Sequence, residues 1–304
     1  MAAIVGPTAV GKSAVALEVA EVLRAEIVSV DSMQIYRGMD VGTDKPTPAM
    51  RRRVPHHLLD LEDPSEPLTV AGYQRAARAA ISGIAARGRL PLLVGGSGLY
   101  FRAVVDDLRF PPRDGSVRAG LEEEAERLGA AALHARLAEL DPVAARRIEP
   151  ANARRTIRAL EAIALTGRPF SDAGSWDSYQ SIYRLAAAGL TRPRAELYRR
   201  IEDRVGRMLA RGLIDEARGL AGRGLSRTAR QALGYRQVLE AHPGAGSDEL
   251  ARDIVRATKR FARRQESWFR ADPRVVWFDA SQGDVAARLI AFFGSGLPSH
   301  HPDA

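Results

Sequence analysis

One segment near the start of the chain constrains the fold more than any other feature. Residues 6–13 read GPTAVGKS, the pattern GxxxxGKS, between an apolar run at 2–5 and a helical pattern over about 12–24. The glycines of such a loop let backbone N–H groups converge on phosphate oxygens, and the helix start and the lysine add positive charge. The segment therefore predicts a phosphate-binding loop whose serine is placed to bind Mg²⁺. Its residues are Gly6, Pro7, Thr8, Ala9, Val10, Gly11, Lys12 and Ser13.

The rest of the chain predicts a parallel sheet around this loop. Further short apolar runs at 26–31, 90–96, 183–190 and 274–279 alternate with helical patterns. Fully apolar strands that alternate with helices are typical of a parallel sheet covered on both faces. We therefore expect an α/β fold of the P-loop NTPase-like class, which binds its ligands beyond the carboxyl ends of the strands.

One long segment does not follow this alternation. Residues 111–172 are rich in Ala, Glu and Arg and have helical patterns without a strand pattern. Helices within this segment are predicted to end at Gly129 and Gly167. We interpret the segment as an all-helical insertion into a core formed by residues 1–110 and 173–293.

The composition excludes several classes of protein. The chain of 304 residues contains no Cys, which excludes disulfides, thiolate metal sites and thiol catalysis. No apolar run is long enough to span a membrane, and the first strand leaves no room for a signal peptide, so we expect a cytoplasmic protein. The last residues, 294–304, are expected to form a disordered tail.

The basic residues are strongly biased towards arginine. The net charge is +8, and the chain contains 42 arginines but only the lysines Lys12, Lys45 and Lys259. Because arginine is used almost everywhere else, these lysines are candidates for sites that need a compact ammonium group rather than a planar guanidinium. Chance is the alternative, above all for Lys259.

Polar groups follow two of the predicted strands. Asp31 ends the second apolar run, and no Walker B Asp stands where a motor ATPase needs one. Asp31 could coordinate a metal or accept a proton from an acceptor held over the loop, but Asp31 or Ser32 could equally cap a helix. In VGGSGLY (94–100), Ser97 is the side-chain hydrogen-bonding group of a glycine turn. This turn either brings another backbone close or simply connects a strand to a helix.

Adjacent histidines at 56 and 57 have the proximity of metal ligands. Neighbours in sequence rarely chelate one metal together, and a third ligand is not evident. We therefore predict a structural or hydrogen-bonding role for His56 and His57.

Two helical segments carry basic residues on one side, RATKRFARRQESWFR near the end of the chain and NARRTIR at 152–158. A solvated basic face is the usual explanation. A surface that follows phosphates, with aromatic residues for stacking or packing, is the alternative. We favour nucleic acid, and RNA over duplex DNA, because no segment resembles a major-groove module. The residues concerned are Arg154, Arg155, Arg158, Arg256, Lys259, Arg260, Arg263, Arg264 and Arg270, with Phe261, Trp268 and Phe269 interleaved.

Taken in order, these motifs resemble one family, the tRNA dimethylallyltransferases, also called tRNA isopentenyltransferases. The resemblance covers nearly the whole chain through GPTAVGKS, VSVDSMQIYRGMDVGTDKP, HHLLD, VGGSGLY, NARRTIRALE and RRQESWFR. The block DSMQIYRGMDVGTDKP is far more specific than the phosphate loop. The resemblance implies that the loop holds the diphosphate of dimethylallyl diphosphate with Mg²⁺. It also implies transfer of the dimethylallyl group to N6 of the adenosine just 3′ of the tRNA anticodon.

The resemblance further implies roles for individual residues. Asp31 corresponds to the catalytic base, Lys12 and Ser97 to positions at the reacting centre, and Arg204 to an arginine that reaches the diphosphate. Ser97 stands where most members have Thr, and Asp44 where Ala is common. The implied tRNA contacts are Asp31, Ser32, Met33, Gln34, Ser97, Arg118, Arg154, Arg155, Thr156, Ile157 and Arg158.

Two other functions remain open at this point. A small-molecule or nucleotide kinase would use the same loop for ATP, but it explains neither the basic helices nor the insertion. An RNA-binding regulator with a nucleotide switch would bind RNA without turnover. For each of these functions we expect a monomer, because no obvious partner helix is left over.

Overall fold

A computed structural model describes residues 1–173, 178–242 and 246–296 of the protein. Within these ranges, six parallel strands form one sheet in the order β3-β2-β4-β1-β5-β6. The predicted α/β class with a parallel sheet is confirmed. The strands are β1 (Ala2–Val5), β2 (Ala25–Val30), β3 (His56–His57), β4 (Leu90–Gly95), β5 (Ala186–Thr191) and β6 (Val275–Asp279).

The strands form where the sequence is apolar and without turn residues. All of β1 and β2 is buried, as expected for strands that have neighbours on both sides and helices above and below. The edge strand β3 was not predicted because it is only two residues long. Its His57 Nε2 is hydrogen-bonded to Glu26 Oε2 at 2.7 Å, and His56 Nδ1 to the Val54 carbonyl at 2.7 Å. The predicted hydrogen-bonding role of these histidines is confirmed.

Helices connect the strands in the described ranges. The helices before residue 107 are α1 (Lys12–Val22), α2 (Pro48–Arg53), α3 (Val70–Ala86) and α4 (Gly98–Val105). The next helices are α5 (Gly115–Leu128), α6 (Ala130–Leu140), α7 (Pro142–Arg147) and α8 (Ala153–Thr166). The last are α9 (Arg194–Ala210), α10 (Leu213–Gly222), α11 (Arg227–Arg230), α12 (Tyr235–Glu240), α13 (Ser247–Arg270) and α14 (Val285–Gly296).

The chain divides into two compact units. The first comprises residues 1–106 and 181–304 and contains the sheet, with α1 packed against α14 and α3 against α4. Its core is continuous and includes the strand side chains together with large buried residues such as Tyr36, Phe101 and Phe269. This unit holds the phosphate loop.

The second unit comprises residues 107–180 and contains α5 to α8. Its core is formed by small and medium apolar side chains, among them Leu133, Leu137 and Leu160. Asp114 and Asn152 accept hydrogen bonds from backbone N–H groups at the starts of α5 and α8, as capping residues do. The helices end before Gly129 and Gly167 as predicted, and Gly167 has the left-handed conformation of a C-cap.

At the carboxyl terminus, α14 continues to Gly296. The prediction of a disordered tail was therefore wrong for residues 294–296, which form the last turn of this helix. Its remainder, 297–304, lies outside the described residues. Among the helices that the structure describes, none combines the length and apolarity needed to cross a bilayer.

Two close backbone approaches bring the strand ends together. A Cβ atom on Gly95 would lie 1.9 Å from the Val30 carbonyl oxygen, and one on Gly6 would lie 2.6 Å from the Leu190 carbonyl oxygen. Any side chain at these positions would force strands apart. The glycines thus allow the loops after β1, β2, β4 and β5 to meet at one edge of the sheet.

Candidate active site

The phosphate loop, residues 6–13, connects β1 to α1. Its Gly6 and Gly11 have φ values of 140° and 114°, which favour glycine, and Ala9 also has a positive φ of 65°. A non-glycine residue in this region is strained, and such strain is common where backbone groups are aimed at a ligand. Lys12 Nζ donates to the carbonyl oxygens of Gly6 and Pro7 at 2.9 and 2.8 Å, so its ammonium group lies over the loop.

An arginine that directly follows β5 and two arginines on α9 contact this loop. Arg192 Nε donates to the Val10 carbonyl at 2.8 Å, and Arg200 Nε donates to the Ala9 carbonyl at 2.8 Å. Arg204 NH1 donates to Thr8 Oγ1 at 3.0 Å. Arg204 was predicted to reach the diphosphate, and its guanidinium contacts the predicted phosphate loop. The contact of Arg200 with the loop was not predicted. Its spacing of four residues from Arg204 could have indicated it, because residues four apart lie on the same face of a helix.

The positive charges around the loop crowd one another, although Arg192 pairs with Glu196 and Arg204 NH2 lies 3.4 Å from Asp44 Oδ2. Burial and the charge of Arg204 lower the pKa of Lys12 to about 7, while the Asp31 carboxylate acts in the opposite direction. Burial and the nearby Arg192 lower the pKa of Arg200 as well. Groups that are crowded with like charge in this way are stabilised when an anion binds among them. The loop is therefore electrostatically prepared for a polyanion.

Asp31 follows β2 and has two different carboxylate oxygens. Oδ1 accepts hydrogen bonds from the backbone N–H groups of Met33 at 2.8 Å and Gln34 at 3.4 Å. This is the capping role that the sequence left open. Oδ2 has no hydrogen-bond partner among the described residues and stays available, and the charge of the carboxylate partly offsets the lowering of the Lys12 pKa. Both interpretations of Asp31 therefore fit the structure.

Ser97 lies next to Asp31. Its N–H donates to the Val30 carbonyl at 3.3 Å, and its Oγ accepts a hydrogen bond from Ser32 N–H at 3.4 Å. The side chain does not cap α4, although Ser97 is its N-cap residue. The glycine turn thus brings the backbone of β2 close, which is the first of the two alternatives that the sequence left open. It also leaves the Ser97 hydroxyl beside the Asp31–Ser32 segment.

Gln265, on α13, joins the two glycine-containing loops. Its Oε1 accepts a hydrogen bond from Thr8 N–H at 2.8 Å, and its Nε2 donates to the Gly96 carbonyl at 2.9 Å. A Cβ atom on Gly96 would lie 2.2 Å from Gln265 Nε2. No role was predicted for Gln265 in the motif RRQESWFR, because a single glutamine in a basic helix has no recognisable pattern.

The segment that follows Asp31 is held by internal hydrogen bonds. Gln34 Oε1 accepts a hydrogen bond from Ser29 Oγ at 2.9 Å, and its Nε2 donates to the Thr43 carbonyl at 3.1 Å. Met33 packs against the core of this unit. The predicted tRNA contacts in this segment therefore fall into two groups. Ser32 and Met33 are partly exposed at the sheet edge, whereas the Gln34 amide is hydrogen-bonded to the turn at 43–44.

That turn is fixed by a charged network that sequence analysis did not find. Lys45 Nζ donates to the Tyr36 carbonyl and to Asp40 and Asp60 carboxylates at 2.5, 2.8 and 2.6 Å, and the residue is buried. The Glu216 carboxylate accepts hydrogen bonds from three successive backbone N–H groups, those of residues 40, 41 and 42, at 2.9–3.1 Å. These bonds fix the block around residues 40–45.

In the second unit, the predicted tRNA contacts lie on or near α5 and α8. Arg154 and Arg155 are exposed. Arg158 donates to the Pro111 carbonyl at 2.6 Å and pairs with Glu161 at 2.8 Å, and Arg118 pairs with Glu122 at 2.9 Å.

The predicted contacts through Thr156 and Ile157 are corrected by the structure. Their side chains are 0% and 4% exposed, because α8 turns them into the core of the unit. They therefore have no side-chain surface to offer an RNA.

The part of the chain that the structure describes offers no metal site made of protein carboxylates. The described residues contain no cluster of three or more His, Asp or Glu side chains that could hold a metal ion. Ser13, at the start of α1, is exposed, and its hydroxyl has no hydrogen-bond partner in these ranges. An ion such as Mg²⁺, which prefers oxygen ligands and keeps several waters, fits a site made of this hydroxyl and phosphate oxygens.

Comparisons with known proteins agree with one another. The family model described as "IPP transferase" matches residues 34–272, and the one described as "Isopentenyl transferase" matches residues 1–60. The chain is 54% identical to the tRNA dimethylallyltransferase of Kineococcus radiotolerans, with 95% of both chains covered. It is also 54% identical to that of Streptomyces coelicolor, over 93% of this chain and 91% of the relative.

Solved structures give the same result. A tRNA isopentenylpyrophosphate transferase from Bacillus halodurans is 42% identical, with a TM-score of 0.72 and coverage of 97% and 95%. A eukaryotic dimethylallyltransferase acting on tRNA has a TM-score of 0.81 at 24% identity, covering 98% of this chain and 80% of its own. The second likeness concerns the fold alone.

Proposed function

This chain belongs to the tRNA dimethylallyltransferase family, and we propose that it transfers a dimethylallyl group from dimethylallyl diphosphate to tRNA. The acceptor is N6 of the adenosine just 3′ of the anticodon, and the other product is diphosphate. One observation carries the proposal beyond family membership. A phosphate loop crowded with cations lies at the same sheet edge as Asp31, which keeps one carboxylate oxygen available; Gln265 joins the loop to Gly96, and the adjacent Ser97 is bonded to Ser32 beside Asp31.

The phosphate loop serves the leaving group. Diphosphate departs from the allylic carbon when its growing negative charge is neutralised, and fixed cations and N–H groups do this without reorganisation. Lys12 and Arg204 supply the cations, because both already contact the loop and lack a fully buried carboxylate partner. The pKa of Lys12, about 7 without the diphosphate, rises when the anion binds, so that the lysine stays protonated.

Asp31 serves the acceptor. The adenine N6 forms a bond to the allylic carbon as the bond between that carbon and the diphosphate oxygen breaks. N6 then carries an excess proton, which Asp31 Oδ2 accepts. Asp31 Oδ1 stays bonded to the Met33 and Gln34 N–H groups and fixes the carboxylate orientation. Ser97 Oγ, bonded to Ser32 N–H, supports the segment that carries this base.

Mg²⁺ fits this site through the Ser13 hydroxyl. When bound, the ion would neutralise part of the diphosphate charge. Ser13 would offer the ion an oxygen ligand. Lys12 and Arg204 would contact the diphosphate oxygens that the ion does not bind.

A transfer assay tests the function. Purified protein, Mg²⁺, labelled dimethylallyl diphosphate and unmodified tRNA are mixed with or without ATP, and label in tRNA is counted. We expect label without ATP. Label that requires ATP, or ATP consumption on small acceptors without label in tRNA, contradicts the proposal and favours a kinase.

A base variant tests the mechanism. Asp31→Asn keeps an oxygen for the Met33 and Gln34 N–H groups but cannot accept the proton. We expect kcat to fall by about 10²–10⁴-fold with tRNA binding largely retained. If tRNA binding collapses while the rate per bound complex is unchanged, Asp31 is a binding residue and the base assignment is wrong.

A further inference from the structure

Asp44 places a carboxylate beside the phosphate loop. Its backbone is held in a turn, because Gln34 Nε2 donates to the Thr43 carbonyl at 3.1 Å and to the Asp44 carbonyl at 3.5 Å. The Asp44 φ of 51° is left-handed, a conformation that Asp and Asn adopt more readily than most residues with a side chain. The Asp44 side chain is 46% exposed. A fixed turn therefore presents a carboxylate that stays open to solvent.

The partner of this carboxylate is Arg204, which also contacts the loop. Arg204 NH1 donates to Thr8 Oγ1 at 3.0 Å, and Arg204 NH2 lies 3.4 Å from Asp44 Oδ2. The guanidinium group therefore joins the phosphate loop to the turn that carries Asp44. Because each of its contacts uses a different nitrogen, NH2 can change partner while NH1 stays on Thr8.

The pair of Asp44 and Arg204 is weak enough to be exchanged. Ion pairs between partly exposed groups contribute at most about 1 kcal/mol, because solvent screens them. Phosphate oxygens offer a guanidinium group charge-assisted hydrogen bonds in a bidentate arrangement, which are stronger than a single contact with a carboxylate at 3.4 Å. A diphosphate group at the loop can therefore replace Asp44.

The other two arginines at the loop have different partners. Arg192 donates to the Val10 carbonyl and pairs with Glu196, four residues further along the chain. Arg200 donates to the Ala9 carbonyl, and no carboxylate lies within 4 Å of its guanidinium nitrogens in the described part of the chain. Among these three arginines, Arg204 is thus the one that a carboxylate from a separate loop engages.

We infer that Asp44 is a displaceable counter-ion of Arg204 and sets the affinity of the site for diphosphate. The inference rests on the proposed function and names a residue that tunes its donor. In the free protein, Asp44 holds Arg204 NH2. When the donor binds, NH2 turns to the diphosphate oxygens. After transfer, Asp44 competes for the guanidinium group again and favours release of the diphosphate product.

Binding of inorganic diphosphate in the presence of Mg²⁺ tests this role without turnover. Asp44→Asn removes the charge and keeps a side chain that tolerates the left-handed φ. In titration calorimetry we expect this variant to bind diphosphate about 2- to 5-fold more tightly than the wild-type protein, because the competing carboxylate is gone. Equal or weaker binding overturns the inference.

Glu202→Gln is the matched control for this titration. Glu202 is 51% exposed and lies on α9, as Arg204 does, but its partner is Lys259. Its substitution also removes one negative charge from the protein, and we expect the affinity for diphosphate to stay unchanged. Tightening as large as that in Asp44→Asn would show an effect of net charge and would overturn the inference.

A double-mutant cycle tests whether Asp44 acts through Arg204. In a protein that already carries Arg204→Gln, the carboxylate has no guanidinium group to hold. Asp44→Asn should therefore no longer tighten diphosphate binding in this background. Equal tightening in both backgrounds would mean that Asp44 repels the diphosphate directly, and the proposed exchange of partners would be wrong.

Steady-state kinetics gives a further readout. Asp44→Asn should lower the KM for the donor and the inhibition constant of diphosphate by similar factors, with the KM for tRNA unchanged. A metal-binding role for Asp44 predicts the reverse for diphosphate: weaker binding and a higher Mg²⁺ concentration at half-saturation. That result would overturn the inference.

These outcomes are separate from those of the proposed function. If the wild-type protein labels tRNA but Asp44→Asn does not bind diphosphate more tightly, the inference is wrong and the function stands. If the variant binds diphosphate more tightly but the wild-type protein labels no tRNA, the counter-ion role stands and the proposed function fails.

Discussion

Lys12 and Lys45 lie in loops of the same unit but in opposite electrostatic surroundings. Lys12 donates only to carbonyl oxygens and is crowded by Arg204, and its pKa is lowered to about 7. Lys45 donates to one carbonyl and to the carboxylates of Asp40 and Asp60. The first ammonium group has no carboxylate within hydrogen-bond distance, only the nearby charge of Asp31, and is available for a ligand. The second is fully used in holding the fold. The charge of the hydrogen-bond acceptors thus distinguishes the two lysines: neutral carbonyls leave Lys12 free to bind a ligand, whereas carboxylates give Lys45 a structural role.

The largest expected effect concerns Lys12 and should be on activity. Lys12→Met removes the cation from the leaving group, and we expect kcat/KM for the donor to fall by about 10³-fold. The melting temperature should stay unchanged or rise slightly, because no buried carboxylate loses its partner. Steady-state kinetics and thermal unfolding of the same preparation check both parts. A clear loss of stability would mean that Lys12 also has a structural role.

Lys45→Met should have the opposite effect. Asp60 keeps Arg51 at 2.7 Å and Asp40 is largely exposed, so we expect a loss near the low end for a broken buried pair, about 3 kcal/mol in the free energy of unfolding. Urea unfolding measures it. Activity of the remaining folded protein should fall much less than in Lys12→Met. If stability is unchanged, the contrast between the two lysines is not electrostatic.

The pH dependence of donor binding sharpens the comparison further. Because the pKa of Lys12 is about 7 in the free protein, its charged form is lost as the pH rises above 7. The KM for dimethylallyl diphosphate is expected to rise by close to tenfold for each pH unit above about 7.5. Lys12→Arg stays charged, so its KM should be nearly constant over that range. A wild-type KM that stays constant to pH 9 would contradict the lowered pKa.

The smallest expected effect concerns the third lysine. Lys259 pairs with Glu202 at 2.6 Å, with 25% and 51% of the two side chains exposed, and lies over the Tyr198 ring. Exposed ion pairs contribute little, so Lys259→Met should change the free energy of unfolding by less than about 1 kcal/mol. It is the matched control for Lys45→Met in urea unfolding. An effect as large as that of Lys45 would show that burial is not the deciding factor.

The sequence by itself determined the parts of this protein that depend on local pattern. The apolar runs predicted β1, β2, β4, β5 and β6 with shifts of up to a few residues, since strand formation here follows short buried segments between turns. The phosphate loop and the family were also determined, because consecutive residues carry the signal. The two-residue β3 was missed because so short an edge strand has no pattern of its own.

Only the tertiary structure decided which distant groups meet at the site. Gln265 contacts Thr8, 257 residues away in the chain, and Gly96, 169 residues away. Arg200 contacts the Ala9 carbonyl across 191 residues. The same applies to the lysines. The composition made Lys12 and Lys45 equal candidates for a special site, and only their hydrogen-bond acceptors in the structure distinguish a binding role from a structural one. The burial of Thr156 and Ile157 belongs here too. The physical reason is that local sequence fixes backbone preference, whereas partner choice depends on sheet order and on which face each helix turns inward.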